Sequence, residues 1–250
     1  MRIHLASIET SLYPDNYSVI RDAYTLTSFY YARNGSTAER LIKTSKQPVI
    51  LDSGAFSFLG KKAINSKGID WEVYADAYAE FVDANNIKLY MELDIDNIVG
   101  YSRVKELTRR IEKKTNKQCI PVWHKARGVK EYLRLCDEYN YIAIGGIVSG
   151  EIKQNQYNGF IQLISEAHKR NCKVHGLGFT YITQLPKYHF DSVDSTSWTF
   201  GRYGHHWVFN GRTISMIRKP PGVRCRKMSE LQRCNLLEWI KYSDYAERNL

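Results

Sequence analysis

Eight short runs rich in β-branched and aromatic residues punctuate the chain: RIHLAS (2–7), YTLTSFYY (24–31), PVILDSGAF (48–56), IKLYMELDI (87–95), QCIPVWH (118–124), YIAIGGIV (141–148), KVHGLGFT (173–180) and FDSVDSTSW (190–198). Most are near-continuous apolar stretches rather than strict alternations, the pattern of parallel strands buried on both faces. Helical periodicity fills most of the gaps. WEVYADAYAEFVDANN (71–86) places Trp71, Tyr74, Ala75, Tyr78, Phe81 and Val82 on one stripe, and SRVKELTRRIEKKTN, VKEYLRLCDEYN and FIQLISEAHKRN follow the next three strands. A last amphipathic run, SELQRCNLLEWIKYSDY, closes the chain. Alternation of eight strands with helices predicts an α/β fold, a single (β/α)8 TIM barrel over 1–250, with a basic loop excursion at 199–228 after strand eight and a C-terminal helix. A doubly wound open sheet is the alternative. The connections 8–23 and 32–47 carry little periodicity, so the first two strands are the least well marked.

Composition narrows the class. Hydrophobic residues make up 43% and aromatics 13% of 250 residues, which excludes a disordered chain and suffices for a large core. No apolar run approaches a membrane span, and the amino-terminal stretch does not read as a signal peptide, so a cytoplasmic protein without membrane contact is expected. Five scattered cysteines are then reduced thiols.

Charge adds a partner. The 36 Lys+Arg against 26 Asp+Glu give a net +10, and the excess is concentrated. Between Ser195 and Ser229 there is no acid, while Arg202, Arg212, Arg218, Lys219, Arg224, Arg226 and Lys227 lie among Trp198, Phe200, Tyr203, Trp207 and Phe209. Cations interleaved with rings suit a polyanion with exposed bases, phosphates meeting the former and bases stacking on the latter. A second basic stretch, Arg103 to Lys117, reads as the solvated face of a helix.

In a (β/α)8 barrel the chemistry gathers at the C-terminal ends of the strands. Here those ends carry Asp52-Ser53-Gly54, Glu92-Leu93-Asp94-Ile95-Asp96, Trp123-His124, Gly145-Gly146-Ile147, His175-Gly176 and Asp194-Ser195. One acid at a strand end commonly caps the next helix; three converging on one mouth must offset their repulsion by use. Paired carboxylates serve as nucleophile and acid/base at an anomeric carbon, whereas a His/Asp set holds a hydrolytic metal. The second is disfavoured by the lack of HExxH and of an H-x-H at strand one. The glycines either expose backbone to a flat ring or allow close packing at the barrel corner.

LDSGAFSF, YIAIGGIVSGE, HGLGFT and FDSVDSTSW, in that order and spacing, resemble the tRNA-guanine transglycosylase superfamily of (β/α)8 enzymes over roughly residues 48–200. By that resemblance Asp194 is the nucleophile and Asp52 the general acid/base, assisted by Ser53. Asp94, with Asp96, reads the edge of a guanine-type base. Gly145, Gly146 and Ile147 form the backbone strip along it, and Phe56, His175, Gly176 or Tyr181 flank its faces. The glutamine on the family's strand-five wall is replaced by Trp123-His124, which puts His124 beside the base. The zinc motif of the tRNA enzymes is missing; Cys225, Cys234 and His205 or His206 would make at most an altered site, and no metal or other cofactor is expected. No RNA-binding appendix follows the barrel. These departures resemble the DpdA-type branch, the phage and bacterial DNA 7-deazaguanine transglycosylases. The implied activity is exchange of guanine in DNA for a 7-deazaguanine such as preQ0 through a glycosyl–aspartate, in the host cytoplasm if phage-encoded. Arg202, Arg212, Arg218, Lys219 and Arg224 would hold DNA phosphates. A tRNA-guanine transglycosylase and a metal-dependent barrel hydrolase are the alternatives.

Overall fold

A computed structural model describes residues 1–35, 37–58, 68–179 and 181–250, without the side chains of Ala55 and Phe56. Eight parallel strands form one sheet: β1 (Arg2–Leu5), β2 (Thr25–Ser28), β3 (Val49–Asp52), β4 (Leu89–Tyr90), β5 (Val122–Trp123), β6 (Tyr141–Ile144), β7 (Lys173–Gly176) and β8 (Ser192–Ser195). They are ordered β4-β3-β2-β1-β8-β7-β6-β5, so the first and last strands of the chain pair in the middle of that order. The two remaining edges meet. Met91 bridges Ile120, the Ile120 N–H donates to the Tyr90 carbonyl at 2.7 Å, and the Glu92 N–H donates to the Ile120 carbonyl at 3.0 Å. The sheet therefore closes on itself as a (β/α)8 barrel, and the open-sheet alternative falls away.

The outer helices are α1 (Thr37–Thr44), α2 (Trp71–Ala84), α3 (Tyr101–Thr115), α4 (Gly128–Glu138), α5 (Gly159–His168) and α6 (Met228–Asn249), interspersed with single helical turns. Asp70 starts α2, its carboxylate accepting from the Glu72 and Val73 N–H groups at 2.9 and 3.1 Å. Each strand is shorter than the run that announced it, and at three of them the reason is plain. The aromatic run after β2 turns helical at Phe29–Ala32, and the segment after β3 becomes a 3-10 turn at Ala55–Phe58. Pro121 cannot donate to the ladder, so β5 is reduced to two residues. The predicted loop excursion at 199–228 contains a folded hairpin, β9 (His206–Phe209) with β10 (Ile214–Ile217). It is held on α6 by Trp207, whose backbone N–H donates to Asn235 and whose ring meets Trp239 edge-on at 5.2 Å.

The lumen is filled, not hollow: Ala6, Leu26, Ile50, Met91, Ile120, Val122 and Ala143 form its apolar plug. Because paired residues of parallel strands share a face, Ala143 places His175 inward, and His175 places Ser192 and, two residues on, Asp194. Asp52 stands two residues above Ile50 by the same rule. Trp198 is fully buried just past β8, its indole N–H donating to the Ala6 carbonyl at 2.8 Å. Truncating a side chain so enclosed costs about 3–5 kcal/mol, so the segment leaving Asp194 is tied firmly to β1. No described helix is long and apolar enough to cross a membrane.

Candidate active site

Asp52, Asp94 and Asp194 meet at the C-terminal mouth, and a fourth carboxyl, Glu9 from the β1–β2 connection, joins them. Burial pushes the Asp52 carboxyl up to about 7, only partly offset by the Gly54 N–H that donates to its Oδ2 at 2.9 Å; the charges of Asp94, Asp194 and Glu9 raise it further. Glu9 is also raised, chiefly by burial, and accepts from the Ser28 N–H at 3.2 Å and the Thr27 hydroxyl at 3.3 Å. These two acids have no cationic partner among the described residues, and near neutrality Asp52 divides between its two protonation states.

Asp194 is anchored. His175 Nε2 donates to its Oδ1 at 3.2 Å and the Gly178 N–H donates to the same oxygen at 2.6 Å. With Nε2 as the donor, Nδ1 of His175 accepts from the Ser192 hydroxyl, which also bonds the Tyr141 hydroxyl. A relay thus descends from the mouth through the lumen: Asp194, His175, Ser192, Tyr141. His4 lies edge-on to His175 at 5.9 Å; its own imidazole, pushed down to about 3 by burial, stays neutral and donates to the Thr25 carbonyl at 3.2 Å. Both described hydrogen bonds to Asp194 fall on Oδ1, which leaves Oδ2 without a partner among the described residues.

The opposite wall is ion-paired. His124 bridges Asp94 and Glu151, with Nε2 at 2.8 Å from Asp94 Oδ1 and Nδ1 at 2.8 Å from Glu151 Oε2. Burial opposes its charge, but the bonds to the two carboxylates prevail and raise its pKa to about 9, so both ring nitrogens donate. Below it the buried Arg127 guanidinium reaches Glu92 at 2.9 Å and Asp96 at 3.2 Å and lies 4.0 Å over the Tyr101 ring. Burial lifts the Glu92 carboxyl to about 6 against the pull of Arg127. Glu92 stood among the strand-end acids of the sequence without a role of its own; Glu151, Arg127 and Glu9 were not singled out, and of these Glu151 had a signal, as the last residue of YIAIGGIVSGE.

The glycines resolve toward packing. A Cβ on Gly145 would lie 2.8 Å from the His124 ring, and one on Gly146, at φ +80°, would lie 2.6 Å from Glu151 Oε2. Gly176 makes room for Phe179 and Phe190, each at 3.1 Å from such a Cβ. Of the two readings of these glycines, close packing describes the Cβ side, where protein side chains occupy the space. Ile147 is half-buried against the outer core. Ser53 is fully buried, with its carbonyl accepting from the Tyr74 hydroxyl at 2.7 Å and its own hydroxyl unpaired. Tyr181 is exposed, and the Phe56 side chain lies outside the described residues.

The cysteines and histidines of the altered zinc site do not converge. His205 accepts from the Lys219 N–H at 3.1 Å, and Cys234 is exposed on α6. Among the described residues, Asp94, Asp96 and His124 alone bring three ligating atoms within 4.8 Å of one another. To bind a cation there, His124 would give up the Nε2 proton it now shares with Asp94, and Arg127 would give up Asp96.

The two basic stretches part company. Arg103, Arg110, Lys114 and Lys117 are paired with Glu72, Asp76, Glu80 and Asp83 on α2, including Arg110 to Asp76 at 2.6 Å. Arg202, Arg212, Arg218, Lys219, Arg224 and Arg226 have no carboxylate partner among the described residues.

No family model matches the chain, and no curated protein matches it. Among solved structures, a mutant tryptophan synthase alpha-subunit from the hyperthermophile Pyrococcus furiosus aligns over 100% of this chain and 98% of its own, at 13% identity and TM-score 0.51. A putative fructose-1,6-biphosphate aldolase from Coccidioides immitis aligns over 99% of this chain and 87% of its own, at 10% identity and TM-score 0.55. At such identities the likeness concerns the fold, and it is that of a (β/α)8 barrel.

Proposed function

We propose that the protein is an enzyme, a transglycosylase that exchanges guanine in DNA for a 7-deazaguanine base of the preQ0 type. The observation that carries this reading is the pairing, in one mouth, of an anchored carboxylate with a free oxygen (Asp194) and a carboxyl poised near neutrality (Asp52). Asp194 Oδ2 bonds to C1′ of the target deoxyguanosine as the C1′–N9 bond breaks, and Asp52 delivers its proton to the departing guanine. The incoming base then gives its N9 proton to Asp52 as N9 displaces Asp194 from C1′. Both half-reactions balance without a redox step. Asp94, fixed by His124 through Oδ1, presents its other oxygen to the N1–H and 2-amino edge, with Gly145, Gly146 and Ile147 alongside. A base lacking those donors would leave that oxygen desolvated and unpaired, the source of selectivity. The target nucleotide leaves its stack to bring C1′ to Asp194, and the unpaired cations of the hairpin region hold the flanking phosphates.

Mass analysis of nucleosides from DNA incubated with the protein and candidate bases tests this. A 7-deazaguanine nucleoside should form from DNA; its formation only in tRNA would move the substrate to RNA, and its formation in neither would overturn the reading. A second reading, metal-dependent hydrolysis, is favoured by the Asp94–Asp96–His124 cluster. It predicts stoichiometric metal in the purified protein and activity lost to chelator.

A further inference from the structure

Beside the hairpin lies a cleft of about 540 Å³, lined among others by Arg202, Tyr203, Lys219, Arg224, Cys225 and Met228. Its volume falls within the range of small-ligand sites, about 300–1,000 Å³. Its position follows from the chain. Ser197–Tyr203 is a single 3-10 run that begins two residues past β8, and Met228 opens α6, whose first turns are tied to the β1–β2 connection by the Asn16 bond to the Ser229 carbonyl. Both elements lie on the C-terminal side of the barrel. Seven residues of 3-10 helix rise about 14 Å, roughly the span of four stacked nucleotides at about 3.4 Å each.

The chemistry of the cleft is specific in kind. Tyr203 is 54% exposed, with the Arg202 guanidinium 5.0 Å from its ring centre and the rings of Phe200 and His205 at 6.0 and 6.3 Å. Lys219 runs across Gly204, where a Cβ would come within 2.5 Å of its stem, and its ammonium donates to the Val223 carbonyl. Arg202, Lys219 and Arg224 have no carboxylate partner among the described residues, unlike the cations of α3. Unpaired cations around an open ring call for a ligand that is both anionic and flat. We propose that this cleft binds a nucleotide of the substrate strand flanking the exchanged one, its base stacked on Tyr203 and its phosphate held by Arg202, Lys219 and Arg224. The proposal rests on the base-exchange reading only for which strand enters it.

Cys225 supplies the probe. Cys119, Cys136 and Cys172 are buried, so a Cys234→Ser variant leaves Cys225 as the accessible thiol. Oligothymidylate, which has no guanine to exchange, should slow maleimide modification of Cys225 by about tenfold or more at low salt, and the protection should fade as salt rises. Tyr203→Leu should weaken binding, read by fluorescence anisotropy, by about tenfold, with Tyr203→Phe close to wild type. Full-rate modification of Cys225 with the oligonucleotide bound, or no binding at all, overturns the proposal. So does equal protection by polyglutamate together with an unaffected Tyr203→Leu variant, which would mark a plain polyanion surface. Protection without exchange on guanine-containing DNA would leave the cleft standing and remove the proposed reaction; exchange without protection would do the reverse.

Discussion

The two sides of the barrel mouth hold the same kind of side chain under opposite conditions. On the β1–β3 side, Asp52 and Glu9 have, among the described residues, only N–H and hydroxyl donors beside them, and burial shifts both carboxyls upward. On the β4–β6 side, Asp94, Asp96 and Glu151 are met by His124 and Arg127 at hydrogen-bond distance. The difference lies in the cations. Without them burial holds the Asp52 proton toward neutrality, where it can be given away; with them the carboxylate oxygens are fixed as acceptors by ion pairs. In the proposed reaction the first side would move protons and the second would present a rigid hydrogen-bonding edge, with Asp194 standing on β8 between them.

Substitutions can test that division. The largest effect is expected at the group common to both sides: Asp194→Asn should reduce base exchange on the order of 10⁴-fold while oligonucleotide binding persists, as read by single-turnover kinetics and anisotropy. Asp52→Asn should slow base release by about 10³-fold. Wild-type release should also decline above pH 7, where Asp52 loses its proton. Stability should move the other way. The unfolded carboxyl ionises near 3.8 and the folded one near 7, so the folded state binds the extra proton and wild-type stability falls between those values. The Asn variant lacks that slope and should be about 1–2 kcal/mol more stable at pH 8 by urea denaturation. An unchanged slope would place the titrating acid elsewhere.

On the ion-paired side the sign reverses. Arg127→Met strips a buried carboxylate of its partner and should cost about 3–5 kcal/mol, with proton uptake by Glu92 on folding visible calorimetrically at neutral pH. His124→Gln is the mildest. The wild-type imidazolium contributes stability that is complete below about 6.5 and lost as pH rises through about 9. The variant should therefore lose about 2 kcal/mol near pH 6 and nothing near pH 10. If thermal melts show an equal loss at both pH values, His124 acts by packing against Gly145 rather than by charge.

Much of the frame was legible in the chain because parallel strands buried on both faces announce themselves as apolar runs. Asp52, Asp94, His124 and Asp194 then fell on strand ends by position alone. What the runs hid was where each strand stops: the aromatic residues after β2 satisfy helix and strand alike, and Pro121 shortens β5. The partners of the site were harder still. Arg127 and Glu92 are charged residues that ordinary composition would send to the surface, and only the closed barrel shows them enclosed together. His175, Ser192 and Asp194 were within reach, since alternation along β8 and pairing with β7 put all three on one face. The role of Gly145 was not, because it depends on a ring from the neighbouring strand.

The barrel is also unevenly closed. β1 and β8 pair over four residues, whereas β4 and β5 meet through one bridge, Met91 with Ile120. At that seam side chains continue what the backbone leaves undone: Glu92 accepts the Val122 N–H at 3.1 Å, and Arg127 joins the same carboxylate to Asp96. The β4–β5 seam is therefore latched by side chains as well as bridged by backbone. A latch made of one acid and one guanidinium senses its protonation and its neighbours, as a ladder of amides does not. Asp94 stands two residues beyond Glu92 and Asp96 is held by Arg127, so the same short segment serves both the seam and the mouth.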